Sequence, residues 1–130
     1  MSPIAKLVSA AAFAAASLAA MPAHADPLYD GCAAKAETNP DYAACGAAMI
    51  DRLEASLTTT WKSVYPGFEA EAKSALLDEQ RLWIAFKEKS CGTYSIGAFG
   101  REGQVIGFFA CRARVLTERI EALKTLGSDG

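Results

Sequence analysis

Few side chains in this sequence have types and spacings suited to chemistry. Its one histidine, His24, lies in an alanine-rich stretch near the start, and no imidazole follows it. Ser95 therefore has no base to activate it, and Ser/His or Cys/His nucleophilic pairs and histidine-held metals are excluded from the remainder of the chain. The carboxylate pairs Glu69 with Glu71 and Asp78 with Glu79 fall on helical faces, where solvation explains them. Glycoside chemistry instead needs two carboxyls facing each other across a cleft. These residues predict no catalytic group, no metal, no cofactor and no enzyme.

The four cysteines, Cys32, Cys45, Cys91 and Cys111, carry the clearest covalent signal. They are even in number and contain no C-x-x-C pair, so they read as two disulfides in an oxidising compartment and not as a zinc site. Gln80 is the notable polar residue. It projects between Leu76 and Ile84 on a face that should be dry, where an amide must be hydrogen bonded. With Arg119 or Thr58 from neighbouring helices it would form an internal polar clasp that sets helix register. Tyr94, Ser95, Phe99 and Arg101 lie together in a glycine-rich stretch, and aromatic and arginine side chains are common anchors of protein interfaces.

The elements that must position these residues read as helices. Residues 1–25 carry a basic residue, Lys6, an apolar run from Leu7 to Ala20, and Ala23-His24-Ala25 as a small-residue cleavage motif. This predicts a secretory signal peptide rather than a membrane span. Removing 25 residues from 130 leaves 105, enough for one domain, 26–130, and too few for two. Loss of Lys6 moves the formal charge from −2 to −3. That mild acidity argues against nucleic acid as a partner.

A short helix is expected from Asp30 to Glu37. Asn39-Pro40-Asp41 then provides a helix start. The helix runs to about Val64, with Tyr42, Cys45, Met49, Leu53, Leu57, Trp61 and Val64 on its apolar stripe. Tyr65-Pro66-Gly67 is a turn that folds the next helix, Phe68–Ser90, back on the first. The stripe of that helix reads Phe68, Ala72, Leu76, Trp83 and Phe86, with Leu77 and Ile84 beside it and Lys87 in water. Gly92 to Gly107 reads as a long loop of the kind that is functional or mobile. The last helix spans about Phe108 to Leu126, with Phe109, Leu116, Ile120 and Leu123 on one face and Gly127 as its stop. The predicted fold is all-α: a small, antiparallel three-helix bundle stapled by disulfides, with one short extra N-terminal helix.

Alternating helix directions bring Cys45, Cys91 and Cys111 to one end, within reach of Cys32. All three pairings remain geometrically open. Cys32 with Cys45 and Cys91 with Cys111 is favoured, because sequential closure pins the N-terminal segment and brackets the glycine loop. Each closure contributes about 3 kcal/mol by loop entropy.

The spacing also matches a family. Cys45, then Glu54-x-x-Leu57-Thr58-x-x-Trp61, Leu77-x-x-Gln80-Arg81-x-Trp83-Ile84-x-Phe86-x-x-x-x-Cys91, Cys111 and Thr117-x-Arg119-Ile120-x-x-Leu123 resemble the lysozyme-inhibitor LprI N-terminal domain family of exported bacterial proteins. The chain departs from that pattern at Glu54, where Asp is usual, at Thr58 (Asn), at Trp61 (Tyr), and at Lys87-Glu88, where an arginine and an acid stand. The resemblance implies a periplasmic or secreted protein that acts by binding and blocks a lysozyme. A lysozyme cleft carries two carboxyls, so Arg101 is the candidate to pair with them. The alternative is a periplasmic interaction or envelope-stress module without that activity, whose loop binds another protein or a glycan.

Overall fold

A computed structural model describes residues 26–129. The expected signal segment, 1–25, lies outside the described residues. The first element is fixed by Asp26, whose carboxylate accepts hydrogen bonds from the backbone N–H groups of Leu28 and Tyr29, both at 3.1 Å. With Pro27 in the first turn this starts α1 at Pro27–Ala33, earlier than the expected Asp30–Glu37. Asp26 also accepts from Arg52 at 2.7 Å. The Arg52 hydrogen bond, aided by the backbone donors, holds the Asp26 carboxyl below the usual carboxylate range.

The cap of the next helix falls on Thr38, so Asn39 is already helical. Thr38 Oγ1 accepts from Asp41 N at 3.3 Å, and Asp41 Oδ2 accepts from Thr38 N at 2.9 Å. This reciprocal capping box satisfies two end donors at once and begins α2, Asn39–Val64. A 3₁₀ turn at Tyr65–Gly67 leads to α3, Ala70–Gly92, and after further short turns, including α4 at Gly100–Glu102, the last described element is α5, Phe108–Asp129. The described residues thus form an all-helical fold of three long helices and a short N-terminal one, in agreement with the expected class.

Cross-helix contacts set the directions. Gly46 abuts Phe109 and Gly127 abuts Val64, so α2 and α5 run parallel in constant register and share the most extensive interface. Gly127 is therefore a point of close approach inside α5 and not its stop. Arg119 pairs with Glu79 and Arg112 with Glu88, which makes α3 antiparallel to α5. The core joins Leu57 and Leu76 to Leu116, Ile120 and Leu123, with Trp61, Phe68 and Trp83 packed against them. Each such aliphatic burial is worth about 1.5–3 kcal/mol. Trp83 also touches a second cluster of Cys91, Cys111 and Val115, so one indole ties the bundle centre to the disulfide end.

Two expectations for α3 are corrected. Ile84 and Phe86 are exposed, and Lys87 is buried in their place. The Lys87 ammonium reaches Glu54 on α2 at 3.1 Å and lies 5.6 Å from the centre of the Trp83 ring. A long apolar stem with a paired charge at its tip can line a core face that an aromatic would otherwise fill. The stretch 92–107 is also not a loop. It is a chain of short helical turns: Thr93–Ser95, Gly97–Phe99, α4, and a π turn at Gly103–Gly107 that enters α5 directly.

Candidate functional site

Two places gather the notable side chains. One is the polar clasp between α3 and α5. Gln80 Oε1 accepts from Arg119 Nε at 2.9 Å and Nη2 at 2.6 Å. Glu79 accepts from Arg119 Nη1 at 2.7 Å and also pairs with Nη2. The Arg119 side chain is only 8% exposed and its guanidinium lies 5.6 Å from the Trp83 ring centre, so Trp83 has Arg119 and Lys87 as cationic neighbours. Thr58 does not belong to this clasp: it is exposed on α2. The buried threonine is Thr60, whose hydroxyl donates to its own helix at Ser56 O, 3.0 Å. Glu79, adjacent to Gln80, is the member that the sequence reading missed. With its donors used by a carboxylate and an amide, Arg119 has little left for a ligand, and the arrangement joins α3 to α5.

The other place is the stapled end. Cys91 and Cys111, both buried, are joined with Cα atoms 5.6 Å apart. Cys32 and Cys45 are joined with Cα atoms 5.7 Å apart, tying α1 to α2. Above the Cys91–Cys111 bond the turns fold into a knob. The Tyr94 and Phe99 rings pack 5.2 Å apart at 47°, and Gln104 Nε2 donates to Ser95 O at 3.2 Å. The glycines serve packing here: a Cβ on Gly103 would strike Phe99, and one on Gly107 would strike Tyr94. Only Gly100, with φ 63°, needs the left-handed backbone that glycine adopts freely. Its break turns the chain from the Gly97–Phe99 turn into α4.

The knob brings Tyr94, Ser95 and Phe99 together, with Arg101 exposed on α4 beside them in sequence. It also displays two residues that the sequence reading passed over, Ile96 at 54% and Ile106 at 38% exposure, alongside Phe99 at 47%. Isoleucines inside a supposed loop were the available signal, since solvated loops seldom carry them. Among the described residues no group of His, Cys, Asp or Glu is placed to hold a metal ion, and no helix is long and apolar enough to cross a membrane.

A family profile described as lysozyme inhibitor LprI matches residues 31–123, a span that takes in all four cysteines, the clasp and the knob. The chain belongs to the LprI family. No curated protein and no solved structure matches it. Within the LprI match, Gln80, Trp83 and Arg119 are accounted for by the clasp, whereas Ile96 and Ile106 on the knob are exposed to solvent and Phe99, though packed on Tyr94, is still 47% exposed.

Proposed function

We propose that this LprI-family protein is exported, cleaved after Ala25, and acts in the periplasm or outside the cell by binding a lysozyme and obstructing its substrate cleft. Family membership supports the target class. Two disulfides suit an oxidising compartment. The observation that carries the mechanism is the knob, an exposed apolar surface of Ile96, Phe99 and Ile106 held on a covalent staple. Preordered turns lose less conformational entropy on binding than a mobile loop would. Apolar contact supplies affinity, and Arg101 supplies the charge that a carboxylate-lined cleft would receive. The action is binding, with no bond made or broken.

The test is clearing of a peptidoglycan suspension by lysozyme with and without the purified protein. Slowed clearing that Phe99→Ala and Arg101→Ala each relieve supports the reading. Inhibition that both variants leave unchanged rejects the knob as the contact surface. No inhibition at all favours an envelope interaction module instead, and clearing by the protein alone would point to catalysis.

A further inference from the structure

Core formation on α3 uses one stripe and leaves a second on the same helix. Ala72, Ala75, Glu79, Leu82, Phe86 and Lys89 follow one another at alternating steps of three and four residues, the spacing of a two-helix seam. All six are exposed, Leu82 at 73% and Phe86 at 56%. The seam is graded: Ala72 and Ala75 begin it, Glu79 and Leu82 stand at its centre, and Phe86 and Lys89 end it. Beside Ala72 and Ala75 lies a mostly apolar groove of about 450 Å³ between α3 and α5, lined by Phe68, Ala72, Ala75 and Leu76 on one side and Ala122 and Leu126 on the other, with the Glu79–Arg119 pair also on its wall.

We infer that this stripe is a homodimer interface in which two copies pair antiparallel along α3, each seating Phe86 over the other's Ala75 and groove. A two-fold axis between Glu79 and Leu82 sets Phe86 against the partner's Ala75, Leu82 against the partner's Glu79, and Lys89 against the partner's Ala72. At both ends of the seam large then meets small, and the pattern is the same read from either copy, as an isologous contact requires. A parallel pairing would stack Phe86 on its own copy and leave the groove empty, with the loss of contact that voids entail. Charge follows the same symmetry. Glu71 and Lys89 are separated by five helical turns and so share one flank of α3, and antiparallel pairing brings each Lys89 beside the partner's Glu71. The central Glu79 is already neutralised by Arg119 and does not face its own copy. The seam is complementary to itself read backwards, and this is what selects a second copy as the occupant. It uses none of the knob residues, so it stands or falls separately from lysozyme binding.

Sedimentation velocity of the exported protein over about 1–100 µM, the range in which contacts of modest size associate, tests the inference. The expected result is a monomer–dimer equilibrium that Phe86→Glu abolishes while the far-UV circular dichroism is unchanged, since Phe86 packs outside the core. Lys89→Glu should weaken the dimer by about tenfold, and adding Glu71→Lys to the same chain should restore it, as two exposed ion pairs are exchanged in sign. A monomer at every concentration overturns the inference and leaves the seam to a different occupant. A dimer that survives Phe86→Glu overturns it as well.

Discussion

Replacing Arg119 by Met keeps most of the side-chain stem and removes the guanidinium that Glu79 and Gln80 share. Breaking a buried ion pair from one side costs about 3–5 kcal/mol when the abandoned partner stays dry. In the single chain Glu79 is not dry: its side chain is 53% exposed, so at protein concentrations low enough to keep the chain monomeric water recovers much of its solvation. Gln80 is more enclosed and is left with an unmet acceptor, at a cost of about 1–3 kcal/mol. The sum for Arg119→Met is therefore about 2–3 kcal/mol, a drop on the order of 10 °C in Tm for a domain of this size. Arg81 provides the control, because its pair with Asp78 is about two-thirds exposed on both partners. Arg81→Ala should cost no more than about 0.5 kcal/mol. Urea unfolding followed by tryptophan fluorescence measures both, and Trp83, beside Arg119, should also change its native emission in the first variant alone. A stability loss below about 0.5 kcal/mol for Arg119→Met, or equal losses for the two arginines, would refute the expectation that the clasp sets helix register.

Three further outcomes follow from the packing. Gly46→Ala places a methyl against the inner atoms of Phe109, which cannot swing away cheaply, so thermal unfolding should show a loss of about 1–3 kcal/mol. Asp26 has a folded pKa below its unfolded value, so its contribution is present above the ordinary carboxylate range and is lost as pH falls through the folded pKa. Asp26→Asn keeps the cap and removes the charge; hydrogen exchange of α1 should be faster in the variant at neutral pH by an amount worth less than about 1 kcal/mol, with the difference vanishing in acid. Under limiting reductant the Cys32–Cys45 bond, exposed at Cys32, should open before the buried Cys91–Cys111 bond, as read by alkylation and mass; the reverse order would mean that access does not control reduction here.

The helix α2 was legible because its apolar residues fall on a single stripe, and one stripe leaves one way to face the core. The helix α3 was legible only in part, because it carries two. Leu76, Gln80, Trp83 and Lys87 form one, and Ala75, Leu82 and Phe86 belong to the other. Leu76, Gln80 and Trp83 were read onto the face that is buried, but hydrophobicity alone adds Phe86 to that face and leaves Lys87 in water. The stretch 92–107 was misread for a related reason. Its glycines suggest flexibility in sequence, but Gly103 and Gly107 are small because Phe99 and Tyr94 lie against them.

The sequence by itself determined the all-helical class, the three long helices, the turn at Tyr65-Pro66-Gly67 and the resemblance to the family. These depend on local propensity, periodicity and spacing, which a linear pattern carries. Tertiary structure decided that Lys87 and not Phe86 completes the buried face of α3, that Glu79 joins the clasp while Thr58 stays in solvent, and that the glycine stretch folds into a knob of short turns. Each of these depends on partners distant in sequence: Glu54 for Lys87, Arg119 for Glu79, and the Cys91–Cys111 staple for the knob. Pairings of that kind are set by how helices meet, which residue spacing along one helix does not encode.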